Sequence, residues 1–167
     1  MGLRFKIFSQ SYFPHFQRGS RSVGEQAEEY LKGLFQASGK KNMERMAEVV
    51  PKCDYQSLQH FLSHSQWDAR VVLDQLAVEA DLHLGGSADT GFFIDESGFA
   101  KKGEKSVGVA RQWNGRLGKV DNSQVAVFAC LGQGPYATLI DTRLYLPGEW
   151  VQDPERCREA GIPEQEM

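Results

Sequence analysis

The hydrophobic pattern of this chain changes period once, at Gly85-Gly86-Ser87-Ala88-Asp89, and that change limits what it can fold into. Before these residues, apolar side chains recur at helical spacing. After them they fall in short runs punctuated by glycine, as strands do. A Gly-Gly-Ser composition suits a flexible connection. The chain thus divides into a helical region over residues 1–84, a linker over 85–91 and a strand-rich region over 92–167. Helices followed by strands belong to the α+β or α/β classes. A length of 167 residues suffices for one domain or two small ones.

Four helices are expected before the linker. Ser22 can cap one through Leu34, with Val23, Ala27, Tyr30, Leu31 and Leu34 on one face. Asn42 can cap a short helix through Val49 that Pro51 closes, and Asp54 a third carrying Tyr55, Leu58, Phe61 and Leu62. A fourth covers roughly Ser65 to Leu84, its start favoured by Asp68. The second and third, joined through Pro51-Lys52-Cys53, have the outline of a helix-turn-helix, which many proteins without DNA partners share.

After the linker, strands are expected over Phe92–Phe99, Val107–Trp113, Gln124–Leu131 and Ala137–Leu146, the last two joined by a turn at Gly132-Gln133-Gly134-Pro135. Leu139, Asp141, Arg143 and Tyr145 alternate with Ile140, Thr142, Leu144 and Leu146, so one face of the last strand should be apolar. Asp153-Pro154 is a start signal for a short helix ending before Gly161. So few strands with so little helix to cover them leave one sheet face needing a partner, as expected of a fragment or an obligate assembly.

The net charge of −3 is unevenly spread. Six cations, Lys101, Lys102, Lys105, Arg111, Arg116 and Lys119, share their segment with the single acid Glu104, whereas acids dominate beyond Pro147. The local field is what a polyanion meets, so the near-neutral total does not exclude one. Gly98, Gly103, Gly108, Gly115 and Gly118 interleave with these cations and let a ligand approach the backbone closely. A nucleic-acid groove fits this pattern, with Trp113 as a stacking platform or a packing residue. A solvated basic hairpin fits it too. The spacing matches neither a phosphate loop ending in Gly-Lys-Ser/Thr nor a Gly-x-Gly-x-x-Gly fingerprint, which argues against nucleotide binding of those types.

No apolar run approaches the roughly 18–20 residues that span a bilayer, so no membrane partner is expected. Cys53, Cys130 and Cys157 are far apart and odd in number, the usage of reduced, cytoplasmic cysteines. His60 and His64 can share a helix face, but Phe61 stands where the zinc-protease signature needs glutamate. Ser97, Ser106 and Cys157 have no visible base beside them, which leaves covalent catalysis unsupported.

The apolar run Gly91-Phe92-Phe93-Ile94 delivers two adjacent carboxylates, Asp95 and Glu96. Neighbouring strand residues point to opposite faces, so only one of the two can line a given site. A carboxylate at the end of such a run, near clustered cations, suits divalent-metal chemistry on a phosphate backbone. A solvated turn acid is the plainer alternative. A two-metal site also needs more acids than one strand supplies.

The run FIDESGFAKKGEKSVGVARQWNGRLGKVDNSQVAVF, with LIDTRLYLPGEW and DPERCREAGIPE after it, resembles bacterial insertion-sequence transposases of the Asp-Asp-Glu superfamily. The resemblance is to the subgroup whose catalytic part opens with Asp-Glu-Thr/Ser-Gly-Phe-x-Lys-Lys-Gly. It extends upstream through EYLKGLF, KKNMERMAEVV and SLQHFLSHSQWD, and so covers nearly the whole chain. It implies a helical DNA-binding or dimerisation region followed by the first strands of a ribonuclease-H-like domain. Asp95 would be the first catalytic aspartate and a ligand of Mg2+ or Mn2+, and the partners would be DNA at the transposon ends and a second copy or a full-length transposase. The second aspartate and the glutamate of that family have no counterpart here; Asp141 belongs to the strand before the second acid. The resemblance therefore implies a truncated transposase, inactive alone; that Lys101 to Lys119 run along the DNA backbone is expected from their charge rather than from the motif. A DNA-binding or oligomerisation module that regulates a full-length relative is the rival expectation, and a functionless remnant a third.

Overall fold

The computed structural model describes residues 2–164. They cluster into two compact units, Met1–Leu73 and Asp74–Met167.

The first unit begins with helix α1 (Leu3–Ser11), a 3-10 turn at Phe13–Phe16 and a small hairpin of β1 (Gln17–Arg18) and β2 (Arg21–Ser22). Helices α2 (Gly24–Gln36), α3 (Met43–Val49) and α4 (Tyr55–Ser63) follow, and α5 (Ala69–Leu84) runs through the boundary between the units. The caps read from the sequence form at α3 and α4: Asn42 Oδ1 accepts the Arg45 N–H at 3.0 Å, and Asp54 Oδ2 that of Ser57 at 2.8 Å. Each satisfies one of the amides left unpaired in a first helical turn. Ala37, Met46 and Leu58 make the core, with Tyr30, Leu34, Met43 and Cys53 packed against it.

Two helix starts differ from expectation. Ser22 is not the cap of α2: its pairing with Gln17 holds it extended in β2, and Val23 occupies the cap position without a side-chain bond. The Ser22 hydroxyl only accepts a long 3.4 Å bond from the Gly24 N–H. Helix α5 starts at Ala69 rather than near Ser65, because Asp68 Oδ1 takes the Arg70 N–H at 2.8 Å while Trp67 turns back to stack on Phe61 at 5.7 Å.

The second unit is a four-stranded sheet of β3 (Thr90–Ala100), β4 (Ala110–Asn114), β5 (Lys119–Gln133) and β6 (Tyr136–Leu144), followed by α6 (Gly148–Val151) and α7 (Pro154–Glu159). All its pairings are antiparallel, which makes the chain α+β. The 15-residue β5 is the spine. Ser123 pairs with both Ala100 and Ala110, and Ala126 with both Ser97 and Leu144. Strand β3 therefore lies along one edge of β5, while β4 and β6 follow one another along the other. The β5–β6 turn places Gly134 at φ 56° before Pro135, the sign pattern of a type II′ hairpin.

The alternation expected of β6 is broken by a bulge. Cys130 pairs with Leu139 and Ala129 with Asp141, which leaves Ile140 unpaired between them. The extra residue shifts the phase, so Leu139 and Leu144 share a face although strict alternation separates them. Both remain exposed, at 47% and 42%. The α7 start is as expected: Asp153 Oδ1 accepts the Arg156 N–H at 3.0 Å, and Gly161 ends the segment at φ 80°.

Candidate catalytic carboxylate and its surroundings

Asp95 stands in the middle of β3, where Phe128 faces it across β5 and Thr142 continues the row onto β6. Residues opposite one another in a sheet share a face. The Asp95 face thus carries Phe93, Ser97, Phe128, Cys130 and Leu139, which line a shallow pocket of about 380 Å³ with it. The carboxylate is exposed, and its Oδ1 accepts the Glu96 N–H at 2.8 Å. Glu96 pairs with Val127 and points to the other face.

The register decides the position of Asp141. Its partner is Ala129, which also faces Ile94, so Asp141 lies on the sheet face opposite Asp95. There it meets Arg143, with Nε to Oδ2 at 3.5 Å. It cannot share a ligand with Asp95 through the sheet. Among the described residues no group of three His, Cys, Asp or Glu side chains converges. His60 and His64 do stack on one face of α4, ring centroids 5.5 Å apart, but gain no third donor. One carboxylate among aromatic and aliphatic neighbours does not fit a pair of divalent ions, so this segment alone does not make a two-metal centre.

A family model described as DDE superfamily endonuclease matches residues 11–166. The chain belongs to that family. A relative, a probable transposase for insertion sequence element IS701 from Microchaete diplosiphon, is 40% identical over 88 residues, which make up 53% of this chain and 23% of that protein. The matched segment thus spans about a quarter of the relative's length. No solved structure matches the chain.

Within this chain the six basic residues occupy several places. Lys105 and Arg111 line a pocket of about 770 Å³ that also holds Arg156 and three glutamates, Glu104, Glu149 and Glu159. Arg116 lines a second pocket with Asp95, Glu96 and Trp113. Lys101 and Lys102 follow β3, where Asn122 Nδ2 donates to the Lys101 carbonyl at 3.0 Å. Lys119 is paired with Asp121 at 2.9 Å; the hydrogen bond from Lys119 and that from the Asn122 N–H hold the Asp121 carboxyl below its ordinary range.

Two features escaped sequence reasoning. Trp150, fully buried, donates from Nε1 to the Val109 carbonyl at 2.9 Å and so anchors α6 beside the larger pocket. Arg156, which looks from the sequence like a minor cation in an acidic tail, lies over the Trp150 ring. The only local signal was the Trp-x5-Arg spacing, which specifies nothing until both residues meet Val109.

No helix among the described residues is long and apolar enough to cross a membrane.

Proposed function

We propose that this chain is part of a transposase that cleaves and joins DNA at the ends of an insertion sequence, and that Asp95 is the first of its metal-holding carboxylates. The observation that carries this is the place of Asp95: exposed, in the middle of β3, within the Asp-Glu-Ser-Gly-Phe-Ala-Lys-Lys-Gly motif, on a strand that pairs along one edge only among the described residues. A further strand added at the open edge would bring other carboxylates beside Asp95, as a ribonuclease-H-like sheet does. Those acids come from polypeptide outside the described residues, and the bound ion, Mg2+ or Mn2+, would supply charge stabilisation at the scissile phosphate. Residues 2–164 by themselves are inactive.

A nicking assay on DNA carrying the element's terminal repeats, with Mg2+ or Mn2+, tests this. The 167-residue chain should not cut. Robust cutting that disappears in Asp95→Ala would overturn the inactivity while leaving the role of Asp95. In a full-length relative, Asp95→Ala should abolish strand cleavage without loss of folding, and retained cleavage would refute the assignment.

A second reading, a DNA-binding or oligomerisation module that regulates a full-length transposase, draws on the first unit having its own core around Met46 and Leu58. A salt-dependent gel shift favouring the element's ends over random DNA would support it, and equal affinity for both would count against it.

A further inference from the structure

We infer that the β4–β5 hairpin is a seat for an unpaired nucleotide beside Asp95, with the base stacked on Trp113 and its phosphate held by Arg116. This deepens the DNA reading above and rests on it.

The hairpin is a stiff support. Asn114, fully buried at its base, donates from Nδ2 to Ser123 Oγ at 2.9 Å. Its Oδ1 accepts the Leu117 N–H at 3.2 Å, and its carbonyl accepts the N–H groups of Leu117 and Gly118 at 3.0 and 2.9 Å. Gly118 closes the turn at φ 64°. Across from Asn114 lies Gly98 of β3, where a Cβ would come within 2.8 Å of the amide. The hairpin thus packs directly on the strand that carries Asp95.

On this support Trp113 is 57% exposed, whereas Trp150 is completely covered. Leaving so large an apolar ring in water forgoes burial energy. Trp113 and Arg116 line a pocket of about 280 Å³ together with Asp95, Glu96 and Gly98. Arg116 makes no ion pair among the described residues. At about 30 Å³ per water the space holds about nine waters, room for a single nucleotide. The charges orient such a guest. The Asp95 carboxylate repels a phosphate, Arg116 attracts it, and the neutral base falls on the indole. A duplex keeps its base faces stacked on one another, so only an unpaired nucleotide can offer one to Trp113.

Fluorescence anisotropy with a dye-labelled single-stranded oligonucleotide and the matching duplex, on the full chain, tests the inference. Trp113→Ala should weaken single-strand binding about ten-fold and leave duplex affinity nearly unchanged, while Trp113→Phe retains most of the affinity. Arg116→Gln should lower the slope of log affinity against log salt by about 0.7 for the single strand. The oligonucleotide should quench indole emission in the native chain but not in Trp113→Phe. Both side chains are exposed, so the variants keep the fold. If the chain binds DNA and Trp113→Ala changes neither affinity nor quenching, the seat is refuted and the DNA reading survives. If the chain binds neither form, both fall.

Discussion

The guanidinium carbon of Arg156 lies 3.9 Å from the centroid of the Trp150 ring, and both side chains donate to one acceptor, the Val109 carbonyl, at 3.5 and 2.9 Å. Arg156 also reaches the Glu104 carbonyl at 3.2 Å and the Glu149 carboxylate at 3.5 Å. One pair of residues thus ties α6 and α7 to the segment between β3 and β4. Without it the two short helices have little of their own to hold them, since isolated helices of this length are unstable in water.

The stability of the second unit should follow that pair. Trp150→Ala is expected to cost about 3–5 kcal/mol, since it removes a fully buried ring and leaves the Val109 carbonyl only the long bond from Arg156. Arg156→Ala should cost less, about 1–2 kcal/mol, because its side chain is 30% exposed and its cation–π contact is partly hydrated. Urea unfolding followed by far-UV dichroism measures both. Equal losses for the two variants would mean that the ring and the arginine hold the helices as one unit, without the ring dominating.

Neighbouring glutamates on α2 should give opposite pH effects. Burial pushes the Glu28 carboxyl up, but hydrogen bonds from Lys32 and Ser9 and the charges of Lys32 and Lys6 outweigh it, so the group sits below its ordinary 4.5. Glu29 sits above that value: burial raises it, and Glu25 adds repulsion, against the pull of Lys32. A lowered carboxyl gives stability present above its unfolded value and lost as pH falls through its folded one; a raised carboxyl costs stability at neutral pH and regains it on acidification. Glu28→Gln should therefore lower the melting temperature at pH 7 and flatten the fall below about pH 4.5. Glu29→Gln should raise it at pH 7, with the gain vanishing in acid. Melts of the three proteins over that range decide it; parallel shifts in both variants would show that charge at these sites does not matter.

The sequence made the local devices legible and missed the ones that need a distant partner. Asn42, Asp54 and Asp153 each accept an amide three residues on, a bond fixed by the helix itself, and all three were readable. Ser22 had the same chemistry, but Gln17 competes for its backbone in a hairpin that no local rule announces. Helix α1 lacks apolar periodicity; the Ser9 hydroxyl on the buried Glu28, donated at 3.0 Å, helps to dock it, and that pairing joins two elements. The bulge at Ile140 likewise depends on how β5 and β6 align. The placing of Asp95 and Glu96 on opposite faces was legible through strand geometry. That Asp141 faces away from Asp95 was fixed only by the register across β5.

Gly33 tests the packing between α2 and α3. A Cβ there would lie 2.5 Å from Met46 Cβ and 2.6 Å from its Cγ, the rigid part of a core side chain only 1% exposed. Helix propensity alone favours Gly33→Ala by about 1 kcal/mol. Overpacking costs about 1–3 kcal/mol and should win, because both helices meet at that point. The expected outcome is net destabilisation in urea, which Met46→Ala should not reverse because it keeps the Cβ that the new methyl meets. A stabilised single variant would mean that α3 can move away freely.

The contact between Gly98 and Asn114 can be tested by its coupling. Asn114→Ala leaves Ser123 Oγ and one bond to the Leu117 N–H without their partner in a buried place, a loss of about 1–3 kcal/mol. Gly98→Ala drives a methyl into the Asn114 amide, which cannot withdraw because its atoms are already hydrogen-bonded to Ser123 and Leu117. In the double variant the new methyl enters the space that the amide has vacated. The two losses should then not add: the double variant should be more stable than their sum by about 1 kcal/mol, within the range found for touching residues. A double-mutant cycle in urea measures that difference. Simple additivity would mean that the hairpin and β3 give way independently, and the stiffness attributed to the Trp113 support would be lost with it.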